Sequence, residues 1–129
     1  MKYLSTFFAS VLLSTGCVGL RQVDFVYFNL SGHEITVTNI PGLPPSATPG
    51  VLMPAPDDTN RLNRAGSTFF ESVRVEDQIT VFWQEDGVLR EVKLHRSELG
   101  LPARLRGGQI RFTYLGGGKW RVRHLKENT

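Results

Sequence analysis

Residues 79–94 read ITVFWQEDGVLREVKL. At their centre is Asp86-Gly87, a dipeptide suited to a two-residue type I′ turn because both of its positions tolerate positive φ. A turn of that length dictates which residues face each other across the two strands. Val81 then meets Val92 and Ile79 meets Leu94, apolar against apolar. Trp83 lands opposite Arg90, a pairing that permits a cation–π contact. Turn chemistry and apolar matching are independent criteria, and here they agree on an antiparallel hairpin.

The same two criteria apply on either side. Residues 109–125, QIRFTYLGGGKWRVRHL, place a three-glycine loop between two alternating runs. Tyr114 then pairs with Trp120 and Phe112 with Val122. Residues 24–40, DFVYFNLSGHEITVTNI, predict a third hairpin if Ser31-Gly32 forms the turn. Its register pairs Phe28 with Ile35 and Val26 with Val37, with Tyr27 and Thr36 on the other side. STFFESVRV, residues 67–75, reads as one more strand with Phe69, Val73 and Val75 on one face. Ser97-Glu98-Leu99 is short enough for a single helical turn, ended by Gly100 and Pro102. No long amphipathic helix is present.

Between the first and second hairpins lies a proline-rich segment, in which six of the seven prolines fall between Pro41 and Pro56. Proline lacks a ladder donor, so loop 41–66 is loop or edge structure. It reads as a stiffened crossover between two sheets, with a functional loop as the alternative. About seven short strands with Gly/Pro turns define an all-β chain. The expected fold is a small antiparallel β-sandwich of immunoglobulin-like or transthyretin-like kind, with a small β-barrel as the alternative. The disulfide-and-tryptophan signature of antibody domains is absent.

The 129 residues suit one domain, and 40% hydrophobic content is enough for a core. Part of that content is concentrated at the start, where YLSTFFASVLL, residues 3–13, follows Lys2. The block has the length of an export-signal apolar region and is too short to span a bilayer. Ser14, Thr15 and Gly16 come next, so a cleaved signal is expected over residues 1–16. Cys17 is the single cysteine of the chain, which rules out an intramolecular disulfide.

Leu13-Ser14-Thr15-Gly16-Cys17 resembles the lipobox of bacterial lipoproteins. That family more often carries Leu three residues before the cysteine, where this chain has Ser14. The resemblance implies that Cys17 becomes the new N-terminus and carries a diacylglyceryl group with fatty acyl chains such as palmitate. Each buried CH₂ contributes about 0.8 kcal/mol, so two or three chains hold a protein firmly on a membrane. Val18, in place of the Asp that tends to retain such proteins in the inner membrane, fits sorting to the outer membrane. The organisation that follows is a signal peptide at 1–16, a lipidated N-terminus and short connector at 17–23, a β-sandwich at 24–126 and a tail at 127–129.

Catalytic and metal-binding patterns are weak. His33, His95 and His124 are scattered, with no HxH, HExxH or CxxC spacing. His33 beside Glu34 reads as a solvated turn. Glu85-Asp86 and Asp57-Asp58 are adjacent carboxylates, and neighbours on a strand point to opposite faces. Gly116 to Lys119 lacks the full phosphate-binding loop pattern and joins two strands. A lipidated Cys17 would have no thiol to react. The sequence therefore predicts a non-enzymatic protein with no cofactor and no metal.

Charge is more informative. Residues 18–88 carry four arginines against nine carboxylates, a net of −5, whereas residues 89–129 carry ten bases against three carboxylates, a net of +7. The third hairpin's register puts Arg111, Arg121 and Arg123 on the face away from the aromatics, with Lys119 at its end. Arg111 opposes Arg123 directly, and like charges so placed repel. Either these side chains splay into water or something acidic meets them. The candidate partner-binding residues are therefore Arg111, Lys119, Arg121 and Arg123, facing an acidic protein or anionic headgroups. Nucleic acid is not expected for an exported, tethered domain. The expected function is a lipid-anchored periplasmic protein-binding module, with an immunity protein against a periplasm-delivered toxin as its concrete form. An envelope or secretion assembly lipoprotein is the first alternative, and a small ligand-binding protein or hydrolase the second.

Overall fold

The computed structural model describes residues 22–59 and 65–126. The expected signal peptide, Cys17 and the tail lie outside the described residues. The fold is an all-β sandwich of two four-stranded sheets and a small two-stranded one. The strands, in chain order, are β1 (Val23–Asn29), β2 (Ile35–Asn39), β3 (Gly50–Leu52), β4 (Ala65–Phe69), β5 (Val73–Arg74), β6 (Gln78–Glu85), β7 (Val88–His95), β8 (Arg104–Leu105), β9 (Gly108–Gly116) and β10 (Lys119–Leu125). Seven of these have five or more residues, the number expected. One helical turn, α1 (Arg96–Leu99), follows β7 and closes on Gly100 at φ 69°.

The first sheet has the order β10-β9-β1-β4 and the second β3-β2-β6-β7. The hairpin over residues 79–94 forms as read: Val81 faces Val92, Ile79 faces Leu94 and Trp83 faces Arg90. Its turn needs positive φ at both positions, 53° at Asp86 and 74° at Gly87. The β9–β10 hairpin also keeps its expected pairs, Tyr114 with Trp120 and Phe112 with Val122. A register shift between Lys119 and Trp120 breaks the alternation at the loop end.

The hairpin expected at Ser31-Gly32 does not form. β1 pairs with β4 on one side and, in parallel, with β9 on the other, while β2 belongs to the opposite sheet. The link between them therefore crosses from layer to layer. Asn29 holds that crossing: its Oδ1 accepts from the Ser31 amide at 2.9 Å, and its Nδ2 donates to the carbonyls of His33 at 2.6 Å and Leu52 at 3.0 Å. The inward residues of β1 are Val23, Phe25 and Tyr27, so Val26 and Phe28 lie on the outer face.

The stretch 67–75 is likewise two strands, not one. β4 ends at Phe69, Phe70 is exposed, and Val73 begins a strand that pairs with β8. The proline-rich segment is the crossover expected of it. It contains a 3-10 turn at Pro45–Ala47, then β3 as an edge of the second sheet, and it ends on β4 at an edge of the first. The core between the layers takes Tyr27, Phe112 and Tyr114 from one sheet and Ile35, Val37, Val81 and Trp83 from the other.

Candidate functional site

Alternation along β9 sends Ile110, Phe112 and Tyr114 into the core and leaves Arg111 and Thr113 facing out. On β10, Trp120 and Val122 pack inward, so Arg121 and Arg123 share that outer face. The register lays out two rows across the sheet. One runs Val26, Arg111, Arg123 and the other Phe28, Thr113, Arg121. Arg111 thus does oppose Arg123, as the sequence predicts. Lys119 sits apart, exposed opposite Gly116 beyond the register shift.

An acidic group meets these arginines, and the chain supplies it. The segment after β3 pairs with the end of β1 through a bridge between Pro54 and Asn29 and a 2.8 Å bond from the Ala55 amide to the Asn29 carbonyl. It then reaches the outer face as a strap, residues 53–59. Asp58 Oδ2 lies 2.5 Å from Arg121 Nη2 and accepts from Thr113 Oγ1 at 3.4 Å. Burial pushes the Asp58 carboxyl up, but the hydrogen bond and charge of Arg121, with the charges of Arg111 and Arg123, outweigh that and hold it below its ordinary value. Arg111 donates to Gln109 Oε1 through Nε at 3.3 Å and Nη2 at 2.9 Å, and its guanidinium lies 5.7 Å from the Phe28 ring centre. Phe28 and Thr113 are buried on this face, at 2% and 1% exposure. The Nε of Arg121 is buried without a hydrogen-bond partner among the described residues.

A second constellation centres on a carboxylate between the two sheets. Glu85 is buried where the two sheets meet beside the turns. Its Oε1 accepts from Tyr114 Oη at 2.5 Å and from Trp83 Nε1 at 3.1 Å, and Arg90 Nε approaches to 3.4 Å. Its Oε2 lies 2.7 Å from His33 Nε2. His33, expected in a solvated turn, therefore pairs with Glu85 from the link that leads into β2, the strand beside β6. Tyr114 also accepts from the Gly118 amide at 3.0 Å, which ties the glycine loop to the same knot. Burial raises the Glu85 carboxyl, and the hydrogen bonds from Tyr114, Trp83 and His33 with the charge of Arg90 more than reverse it, leaving it below the ordinary carboxylate value. The Trp83, Tyr114 and Trp120 rings wall the site, with centroids 5.0–5.6 Å apart. One signal could have found it. With Ile79, Val81 and Trp83 inward, period two puts Glu85 inward as well. Chemically the cluster is a saturated carboxylate that fastens one sheet to the other.

His95 lines a surface depression with Asp77, Arg96, Ser97 and Glu98. The Asp77 carboxylate there is taken by Arg96 Nη2 at 3.0 Å. His124 stands on β10 opposite Ile110 and is not among the residues lining that depression. Among the described residues no three His, Cys, Asp or Glu side chains converge as a metal site, and no helix is long and apolar enough to cross a membrane.

The geometry defines an all-β sandwich with a strapped basic face. No family model, curated protein or solved structure matches the chain.

Proposed function

We propose that the chain is a lipoprotein anchored through Cys17 to the outer membrane of a bacterial envelope, and that its sandwich is a non-enzymatic protein-binding module in the periplasm. One observation carries the anchoring: the apolar run and Leu13-Ser14-Thr15-Gly16-Cys17 stand directly before the fold, since β1 opens at Val23. Six residues reach roughly 20 Å at full extension, which keeps the domain beside the surface that holds it. The cluster of Arg111, Arg121 and Arg123 on one face supports the binding role, because basic patches steer and orient acidic partners.

Mass spectrometry of membrane-extracted protein tests the anchor. Wild type should carry a diacylglyceryl group and acyl chains on Cys17, and Cys17→Ser should leave the membrane fraction. An unmodified Cys17, or cleavage elsewhere, removes the reading. Pull-down with the wild type against an Arg111→Glu/Arg121→Glu/Arg123→Glu variant tests the face. A neighbouring toxin gene favours the immunity role and a secretion operon favours the assembly role.

A further inference from the structure

The arginine face is occupied from within the chain. Arg121 bonds the Asp58 carboxylate, and on the neighbouring row Arg111 faces Arg123 directly across the ladder. Opposed like charges cost stability unless anions lie between them. Asp58 sits on the Thr113–Arg121 row, one row along from the Arg111–Arg123 pair. Arg121 keeps a buried Nε without a partner, an arrangement that costs free energy in a folded protein. Beneath Arg111 lies Phe28, a flat apolar floor buried on the side of the sheet away from the core. A guanidinium can grip a carboxylate with two parallel hydrogen bonds, and the ring under Arg111 backs such a contact with an apolar surface.

The strap shows what kind of chain fits. It brings Asp58 to the face on a short stretch, Pro54 to Thr59, that carries Asp57 and Asp58 side by side. We propose that Arg111, Arg121 and Arg123 form a recognition site for an acidic segment of a protein partner, and that Asp58 is its built-in occupant, displaced when the partner binds. The proposal rests on the protein-binding reading above and is independent of the lipid anchor. An Asp- or Glu-bearing segment replaces the carboxylate that Asp58 gives up and extends along the sheet to the Arg111–Arg123 row. The occupant lowers the affinity for short anionic ligands, because part of the binding free energy goes into removing it. Longer acidic segments that reach both rows overcome this, so the strap selects against single carboxylates.

The test uses the full chain in detergent and a fluorescein-labelled peptide of alternating Asp and Glu, ten residues long, read by anisotropy at low salt. Asp58→Ala should bind it about tenfold more tightly than wild type, a gain equivalent to 1.4 kcal/mol. Adding Arg121→Gln, or Arg111→Gln with Arg123→Gln, should abolish the gain, and salt should weaken binding throughout. Asp58→Asn, which keeps the side chain's shape, should show the same direction and covers the case in which the alanine variant does not fold. Equal affinity of wild type and both Asp58 variants, or binding indifferent to the arginines, overturns the proposal. So does tighter binding of the Asp58 variants to phosphatidylglycerol vesicles than to the peptide, which assigns the face to lipid. If pull-down yields a partner that ignores the arginine substitutions, the protein-binding reading survives and this site does not.

Discussion

Glu85 is charged in a place where charge is costly, and it survives there because each oxygen is satisfied. Two neutral donors, a histidine and an arginine surround it, so removing the charge weakens several bonds together. Hydrogen bonds to a charged group contribute about 1.5–3 kcal/mol each to stability. Glu85→Gln should therefore lower unfolding free energy by about 2 kcal/mol, read by urea denaturation with Trp83 and Trp120 as fluorescent probes. Tyr27 presents the opposite case. Its hydroxyl is buried without a partner among the described residues, and burial alone drives its ionisation far above the ordinary tyrosine range. Its ring still stacks on Phe112 at 5.0 Å. Tyr27→Phe keeps the stack and removes an unsatisfied group, so stability should hold or rise by up to about 1 kcal/mol in the same assay. A clear loss would mean that the hydroxyl has a partner.

The strands differ in how plainly the sequence announces them. Asp86-Gly87 and the triple glycine of residues 116–118 each require positive φ, and that requirement fixed two hairpins with their registers. Ser31-Gly32 carries a weaker turn signal, and its apolar match was a coincidence of two alternating strands that face one core from opposite sides. β1 held a warning in its own composition. Val23, Phe25, Val26, Tyr27 and Phe28 leave almost no polar position, and all five are buried. Continuous apolarity marks a central strand covered on both faces, often with a parallel neighbour. Long-range pairing of β1 with β9 cannot be deduced from local pattern, and neither can the docking of Asp58 on Arg121, because both join residues distant in sequence. The arginine side of that contact was legible from period two alone; the carboxylate side was not. β1 also sets the sharpest constraint on its neighbour β4. A Cβ on Gly66 would come within 2.3 Å of the Phe25 carbonyl oxygen, so the two backbones must move apart. Gly66→Ala should destabilise the protein by roughly 1–3 kcal/mol. Amides of β1 and β4 should lose hydrogen-exchange protection before those of β6 and β7, and uniform protection would show that the strands absorb the methyl group.

Two carboxylates tie the whole molecule together, and both respond to acid. Glu85 fastens sheet to sheet, and Asp58 fastens the strap to the first sheet. Each is held below its ordinary value in the folded protein, 4.5 for Glu and 3.8 for Asp. Across the interval between folded and unfolded values the unfolded chain binds more protons, so stability rises with pH there. The stabilisation is fully present above the unfolded values and is lost as pH falls through the folded ones. Thermal melting should therefore show little contribution from these two groups between pH 6 and pH 5, and a progressive fall in midpoint below about pH 4.5. Glu85→Gln should start from a lower midpoint at neutral pH and decline less steeply in acid. Asp58→Asn should do the same with a smaller offset, because its side chain is more exposed than that of Glu85, 13% against 8%. Combining the two changes should flatten the acid limb further, and an acid limb as steep as the wild type's in the double variant would assign the transition to other carboxylates.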